Sequence, residues 1–187
     1  MVGDVPEGRV LDLGPVWQAT VAFFTARGFR VSTEDVVRGW RDHLRAEEDR
    51  LRRVPIGRPS EPVDPSALAE RFFQSSFQYP PETFHIVLAW DVFDHLDPEL
   101  QLRLSTALLE IMRSGAAMLA LFHSKPPAAS QRFRIRDAQT LELVPATSPL
   151  PPPRTLQNRE ILNLFARFRS TKTVVGRDQL RESLILK

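Results

Sequence analysis

Asp94, His95 and His123 are the side chains best suited by type to move a proton. Asp94 and His95 follow the apolar run FHIVLAW (84–90), with Trp90 and Asp91 just before them; His123 follows a second apolar run, AAMLALF (116–122). If the two runs are neighbouring strands, this group lines one cleft, where an imidazole or carboxylate takes a proton from a nucleophilic substrate. A competing reading makes Asp91 and Asp94 turn or cap residues and leaves His95 facing solvent at a helix start. Two histidines without a defined spacing do not make a metal site. The chain has no cysteine, which excludes disulfides, zinc–thiolate sites and cysteine nucleophiles. His85 sits near the start of its strand, where a structural role is expected.

Alternating elements must position these residues. RVLDLG (9–14) reads as a buried strand ending in a glycine turn, 19–27 as a helix stopped by Gly28, and 29–33 as a strand running into the acidic pair Glu34–Asp35. That order opens a parallel βαβ unit. Val37, Trp40, Leu44 and Leu51 give 36–54 an amphipathic helical face, with Glu48–Arg52 and Asp49–Arg53 at i,i+4 spacing. Residues 55–65 are too proline-rich to be regular, and Ser66 is expected to cap a short helix to Phe73. After an irregular stretch (77–82) and the strand 84–90, Asp97 caps a helix with Pro98 at its first position. This helix is expected to reach about Arg113 and to end at Gly115, before the strand 116–122. The pattern of 133–144 predicts a β-hairpin turning at Asp137–Ala138, and 145–153 a proline-rich connector. Residues 158–168 predict a helix burying Ile161, Leu162, Phe165 and Phe168. Two antiparallel strands around Gly176–Arg177 close the chain.

This ordered series resembles the class I S-adenosylmethionine-dependent methyltransferases. The matching pieces are VLDLG, GFRVSTED, FHIVLAWDVFDHLDPE, the strand after RSGA and the terminal helix and strand pair. The resemblance implies an α/β, Rossmann-like fold over 1–187 as a single methyltransferase-like domain. Its seven-stranded sheet would be mostly parallel with a terminal antiparallel pair. The divergent region is 36–83, where the third strand has no clear place. The resemblance also implies S-adenosylmethionine as cofactor, with Asp12 and Gly14 at its methionine part, Asp35 or else Glu34 on its ribose, and Trp90 and Asp91 in the turn facing the methyl group. One of the two acids serves equally well as a cap for the helix starting at Val36.

The first loop departs from the family pattern. The later glycine positions fall on Val16 and Gln18, with Trp17 between them. Side chains here obstruct a backbone that must approach a ligand, so Val16, Trp17 and Gln18 are pocket-blocking candidates. The favoured reading is therefore a pseudoenzyme: weak or absent cofactor binding, no cofactor at the limit, and a role as a scaffold for a protein partner. An active methyltransferase on a small molecule or protein is the alternative. A nucleic-acid role ranks last. It rests on the final third, where residues 125–187 hold 12 Lys and Arg against 5 Asp and Glu, and on Arg132, Arg134 and Arg136 alternating in one strand. The longest apolar run is too short for a bilayer and no secretory signal is visible, so a cytoplasmic location is expected.

Overall fold

The computed structural model describes residues 8–53, 64–146, 150–176 and 179–187. Strand β1 (Arg9–Asp12) leads into helix α1 (Gln18–Thr25) and strand β2 (Arg30–Thr33). Gly28 makes the intervening turn at φ +80°, a conformation open to glycine because it has no Cβ. Two helices follow, α2 (Val36–Arg52) and α3 (Pro65–Ser76). Then come β3 (Phe84–Trp90), a 3-10 turn (Val92–His95), α4 (Pro98–Ile111) and β4 (Met112–His123). The hairpin β5 (Gln131–Ile135) and β6 (Leu141–Pro145), helix α5 (Asn158–Leu164) and strands β7 (Ser170–Val175) and β8 (Leu180–Leu186) complete the order.

The main sheet runs β2-β1-β3-β4-β8-β7. β2, β1, β3 and β4 are parallel, while β8 and β7 are antiparallel. Alternation along each strand sends side chains to opposite faces. Leu11 and Val87 join one apolar cluster with residues of α2, α3, α4 and α5; Val10 and Leu88 join another with Phe24 of α1 and Phe133 and Ile135 of the hairpin. The hairpin therefore acts as a lid on the face that α1 covers only in part. It is tied to α1 by the buried Thr20 hydroxyl, which accepts from Ile135 N at 3.0 Å.

Several expectations need correction. The seven-stranded sheet has six strands among the described residues, and none of these pairs with the outer side of β2; the divergent region supplies α2 and α3 instead. Gly115 does not end a helix. α4 stops at Ile111 and β4 begins at once, with Gly115 at φ +80° where β4 bulges against β3. Asp64, not Ser66, caps α3, accepting from Ser66 N with Pro65 in the first turn. On α2, Glu47–Arg50 and Asp49–Arg52 pair at i,i+3 in place of the expected i,i+4 pairs. α5 is shorter than expected and leaves Leu162 exposed (56%), although Ile161, Phe165 and Phe168 are buried. The proline-rich loop at 55–63, residues 147–149 of the connector, Arg177 and residues 1–7 lie outside the described residues. Among the described residues no helix is long and apolar enough to cross a membrane.

Candidate functional site

Strand order reverses at β1: β2 lies on one side and β3 on the other. In an open parallel sheet the carboxyl ends of the strands at such a point form the crevice that takes ligands. Asp12 ends β1 there and is fully buried. Its Oδ1 accepts from Gly14 N at 3.0 Å and from Trp90 Nε1 at 2.6 Å. Its Oδ2 is buried with no hydrogen-bond partner among the described residues. Burial raises the Asp12 pKa, against the lowering effect of the Trp90 and Gly14 hydrogen bonds.

Trp90 ends β3 at φ +49°, a left-handed conformation that is costly for a bulky residue. That turn folds the indole back over the first loop. A Cβ built on Gly14 would lie 2.9 Å from Trp90 Cδ1 and 3.1 Å from Trp90 Nε1. Gly14 is thus needed by a neighbouring side chain of the same protein. The indole stacks with Phe133, ring centroids 6.3 Å apart and 7° from parallel.

The acids after β2 also have intramolecular partners. Glu34 accepts from the Tyr79 hydroxyl at 2.8 Å. Burial, then the Glu34 hydrogen bond and charge, push the Tyr79 phenol above its ordinary value. Asp35 caps α2, accepting from Arg38 N at 3.2 Å, and lies 3.7 Å from Arg132 of β5. In the first loop Val16 is 65% exposed and Gln18 is also exposed. Trp17 is half-buried beneath the Arg134 guanidinium, 5.4 Å from its ring centroid, and borders a cleft of about 440 Å³ that also includes Asp35. The nearest side chain over Gly14 is therefore that of Trp90.

Beyond β3 and β4 two pairs form. Asp94 Oδ2 accepts from His123 N at 2.7 Å and lies 2.9 Å from His123 Nδ1. Asp91 Oδ2 lies 3.2 Å from His95 Nε2, and His95 Nδ1 is 2.8 Å from the Pro151 carbonyl oxygen. Both His95 ring nitrogens thus face oxygens inside the fold. Burial raises the Asp94 pKa despite the His123 hydrogen bonds. For His123 burial acts downward, but the Asp94 hydrogen bond and the charges of Asp91 and Asp94 outweigh it, and the net direction is up. His123 borders a second cleft of about 400 Å³ with Pro126, Gln131 and Leu180. An imidazole oriented through Nδ1 by a carboxylate has its other nitrogen available for proton transfer.

The sequence reading missed Tyr79, Phe133, Arg132 and Arg181 as parts of this region. Arg181 is buried and donates to the His123 and Leu156 carbonyls at 3.0 and 2.6 Å and to Asn158 Oδ1 at 2.9 Å. The alternation of the hairpin placed Phe133 and Ile135 on one face; no local signal marked Tyr79 or Arg181.

The sheet order, its antiparallel edge and the Asp12–Gly14 turn at the switch point define a Rossmann-like α/β fold. The PH0226 protein from Pyrococcus horikoshii OT3 matches with a TM-score of 0.52 at 14% identity, over 96% of this chain and 82% of that one. A SAM-dependent methyltransferase from Methanosarcina mazei matches with a TM-score of 0.45 at 13% identity, over 96% and 93%. A Burkholderia thailandensis 1,6-didemethyltoxoflavin-N1-methyltransferase, solved with 1,6-didemethyltoxoflavin and S-adenosylhomocysteine, matches with a TM-score of 0.46 at 16% identity, over 95% and 68%. At 14% identity the likeness to the Pyrococcus protein is one of fold alone. No protein-family description matches the chain, and no curated protein does.

Proposed function

We propose that this protein is a methyltransferase-fold pseudoenzyme that serves a protein partner as a binding subunit. Its cofactor position is closed by its own side chains. The observation that carries this reading is the Trp90 indole packed on Gly14 and bonded to Asp12. A cofactor's methionine part needs bare backbone at that glycine and a free carboxylate beside it. Trp90 takes the space and one Asp12 oxygen, while Tyr79 holds Glu34 and Arg132 flanks Asp35. These residues do not fit S-adenosylmethionine without moving Trp90. Opening the site means leaving an indole stacking partner and a buried hydrogen bond. Calorimetry with S-adenosylmethionine and S-adenosylhomocysteine tests the reading. No heat of binding is expected with the wild-type protein, and micromolar affinity would sink it.

One observation favours a second reading, an active methyltransferase on a small molecule or protein. His123, oriented by the buried Asp94, borders its own cleft and is arranged as a general base. Under that reading the cofactor displaces Trp90 on entry. Quenching of tryptophan fluorescence on adding S-adenosylmethionine, lost in Trp90→Phe, distinguishes it from the first.

A further inference from the structure

Among the described residues, the cleft beside Trp17 is lined by four arginines, Arg38, Arg41, Arg45 and Arg132, and by two carboxylates, Asp35 and Asp42. We propose that it binds a small phosphate-bearing anion. The proposal is independent of whether the position over Gly14 is open or closed.

The arrangement follows from sequence spacing. Positions 38, 41 and 45 are three and four apart on α2, so their side chains share one helical face. Arg132 approaches from β5 across the cleft and is nearly buried. Arginines brought together this way repel one another unless an anion joins them. Asp42 stands 3.6 Å from both Arg38 and Arg41, and Asp35 stands 3.7 Å from Arg132. These separations are longer than hydrogen bonds, and each guanidinium carries five donors in a planar fork. The carboxylates therefore balance part of the charge while leaving donors of Arg38, Arg45 and Arg132 for an incoming oxyanion. Among the described residues the lining holds more cationic than anionic side chains. A phosphomonoester, at about −1.5 to −2 near neutral pH, complements that excess.

Trp17 supplies a second observation. It lines the same cleft, and its indole Nε1 is buried with no hydrogen-bond partner among the described residues. A buried N–H without an acceptor is costly, and a ligand oxygen would satisfy it. The loop residue that replaces cofactor-type backbone is thus a wall of this cleft.

Shape favours a small ligand over a nucleic acid. A concave site of about 440 Å³ falls within the size range of small-molecule pockets. A phosphate backbone needs an extended run of unpaired cations. On the hairpin beside the cleft, Arg134 pairs with Glu142.

The test is calorimetric titration with inorganic phosphate at constant ionic strength, chloride replacing phosphate in the control. Saturable binding is expected, weakened at least tenfold in Arg45→Glu and in Arg38→Glu. Both side chains are exposed on the helix surface, and thermal melts check that each variant folds. Arg38→Gln and Arg45→Gln keep the test decisive if charge reversal disturbs the helix. Arg167→Glu, an exposed site elsewhere, should bind as the wild type does. Phosphate binding no stronger than chloride's, or an equal loss in Arg167→Glu, would overturn the proposal. So would a single-stranded RNA oligonucleotide that binds through Arg38 and Arg45 while phosphate does not. Repeating the titration with S-adenosylmethionine present separates the two readings: cofactor binding that leaves phosphate affinity unchanged ends only the closed-site reading.

Discussion

The Trp90 indole nitrogen donates to Asp12 Oδ1 at 2.6 Å, joining the carboxyl ends of the two central strands β1 and β3. This bond carries a side chain held at positive φ, so its loss releases more than one contact. Trp90→Ala removes the indole from Gly14, Asp12 and Phe133 and is expected to destabilise the fold by about 3–5 kcal/mol. Trp90→Phe keeps much of the packing but leaves Asp12 one donor short, at a cost of about 1–3 kcal/mol. Urea denaturation of the two variants measures the difference.

Asp12 itself should be replaceable. Burial holds its carboxyl above the ordinary carboxylate value, so the fold disfavours its ionisation relative to the unfolded chain. Its contribution to stability is fully present below the unfolded pKa and is lost as pH rises through the folded one. Asp12→Asn keeps an acceptor oxygen for Trp90 and Gly14 and removes the ionisation. The variant is expected to equal or exceed the wild type at pH 7 and to lose that advantage in acid. Urea midpoints at both pH values check this.

His123 should titrate above an ordinary histidine because Asp94 and Asp91 outweigh its burial. A raised histidine pKa stabilises the fold fully below about pH 6.5, and the effect fades as pH rises through the folded value. In Asp94→Asn the His123 midpoint should fall, and this part of the pH dependence should shrink. An NMR titration of the imidazole Cε1–H signals reads both.

Thr20 is a small residue with a large task. Its hydroxyl is the acceptor for Ile135 N, which fastens the hairpin to α1. Thr20→Val keeps the shape and leaves a buried amide unpaired, at about 1–3 kcal/mol. Hydrogen exchange at Ile135 should accelerate while exchange in β3 and β4 changes less.

Arg181 anchors the end of β4 to the segment before α5 through three acceptors. Hydrogen bonds from a charged group are worth about 1.5–3 kcal/mol, and losing these leaves buried carbonyls without partners. Arg181→Ala is expected to lower stability by roughly 3 kcal/mol, measured by thermal or urea unfolding.

The parallel core was legible because its signals are local. Val10 and Leu11, and Val87 and Leu88, are apolar on both faces, and Gly28, Asp97 and Pro98 mark the turns and the helix start that the structure contains. Gly115 misled because a glycine with positive φ serves a bulge as well as a helix end. Leu162 misled because, inside α5, it turns away from the side that buries Ile161, Phe165 and Phe168 and faces solvent. The candidate site was legible only in part. Asp94 and His123 meet as their place after adjacent strands implied. The reach of Trp90 to Gly14 was not, because it depends on a backbone reversal at one residue and on a hairpin that begins 41 positions later. Side chains joined over such distances leave no periodic trace in the chain.

β2 is only four residues long, and no described strand lies along its outer side. A sheet margin is ordinarily a template on which further chains can accrete. Here it offers so few outward amides that a second chain would gain little register and little grip. Among the described residues the brevity of β2 thus limits what this margin can template.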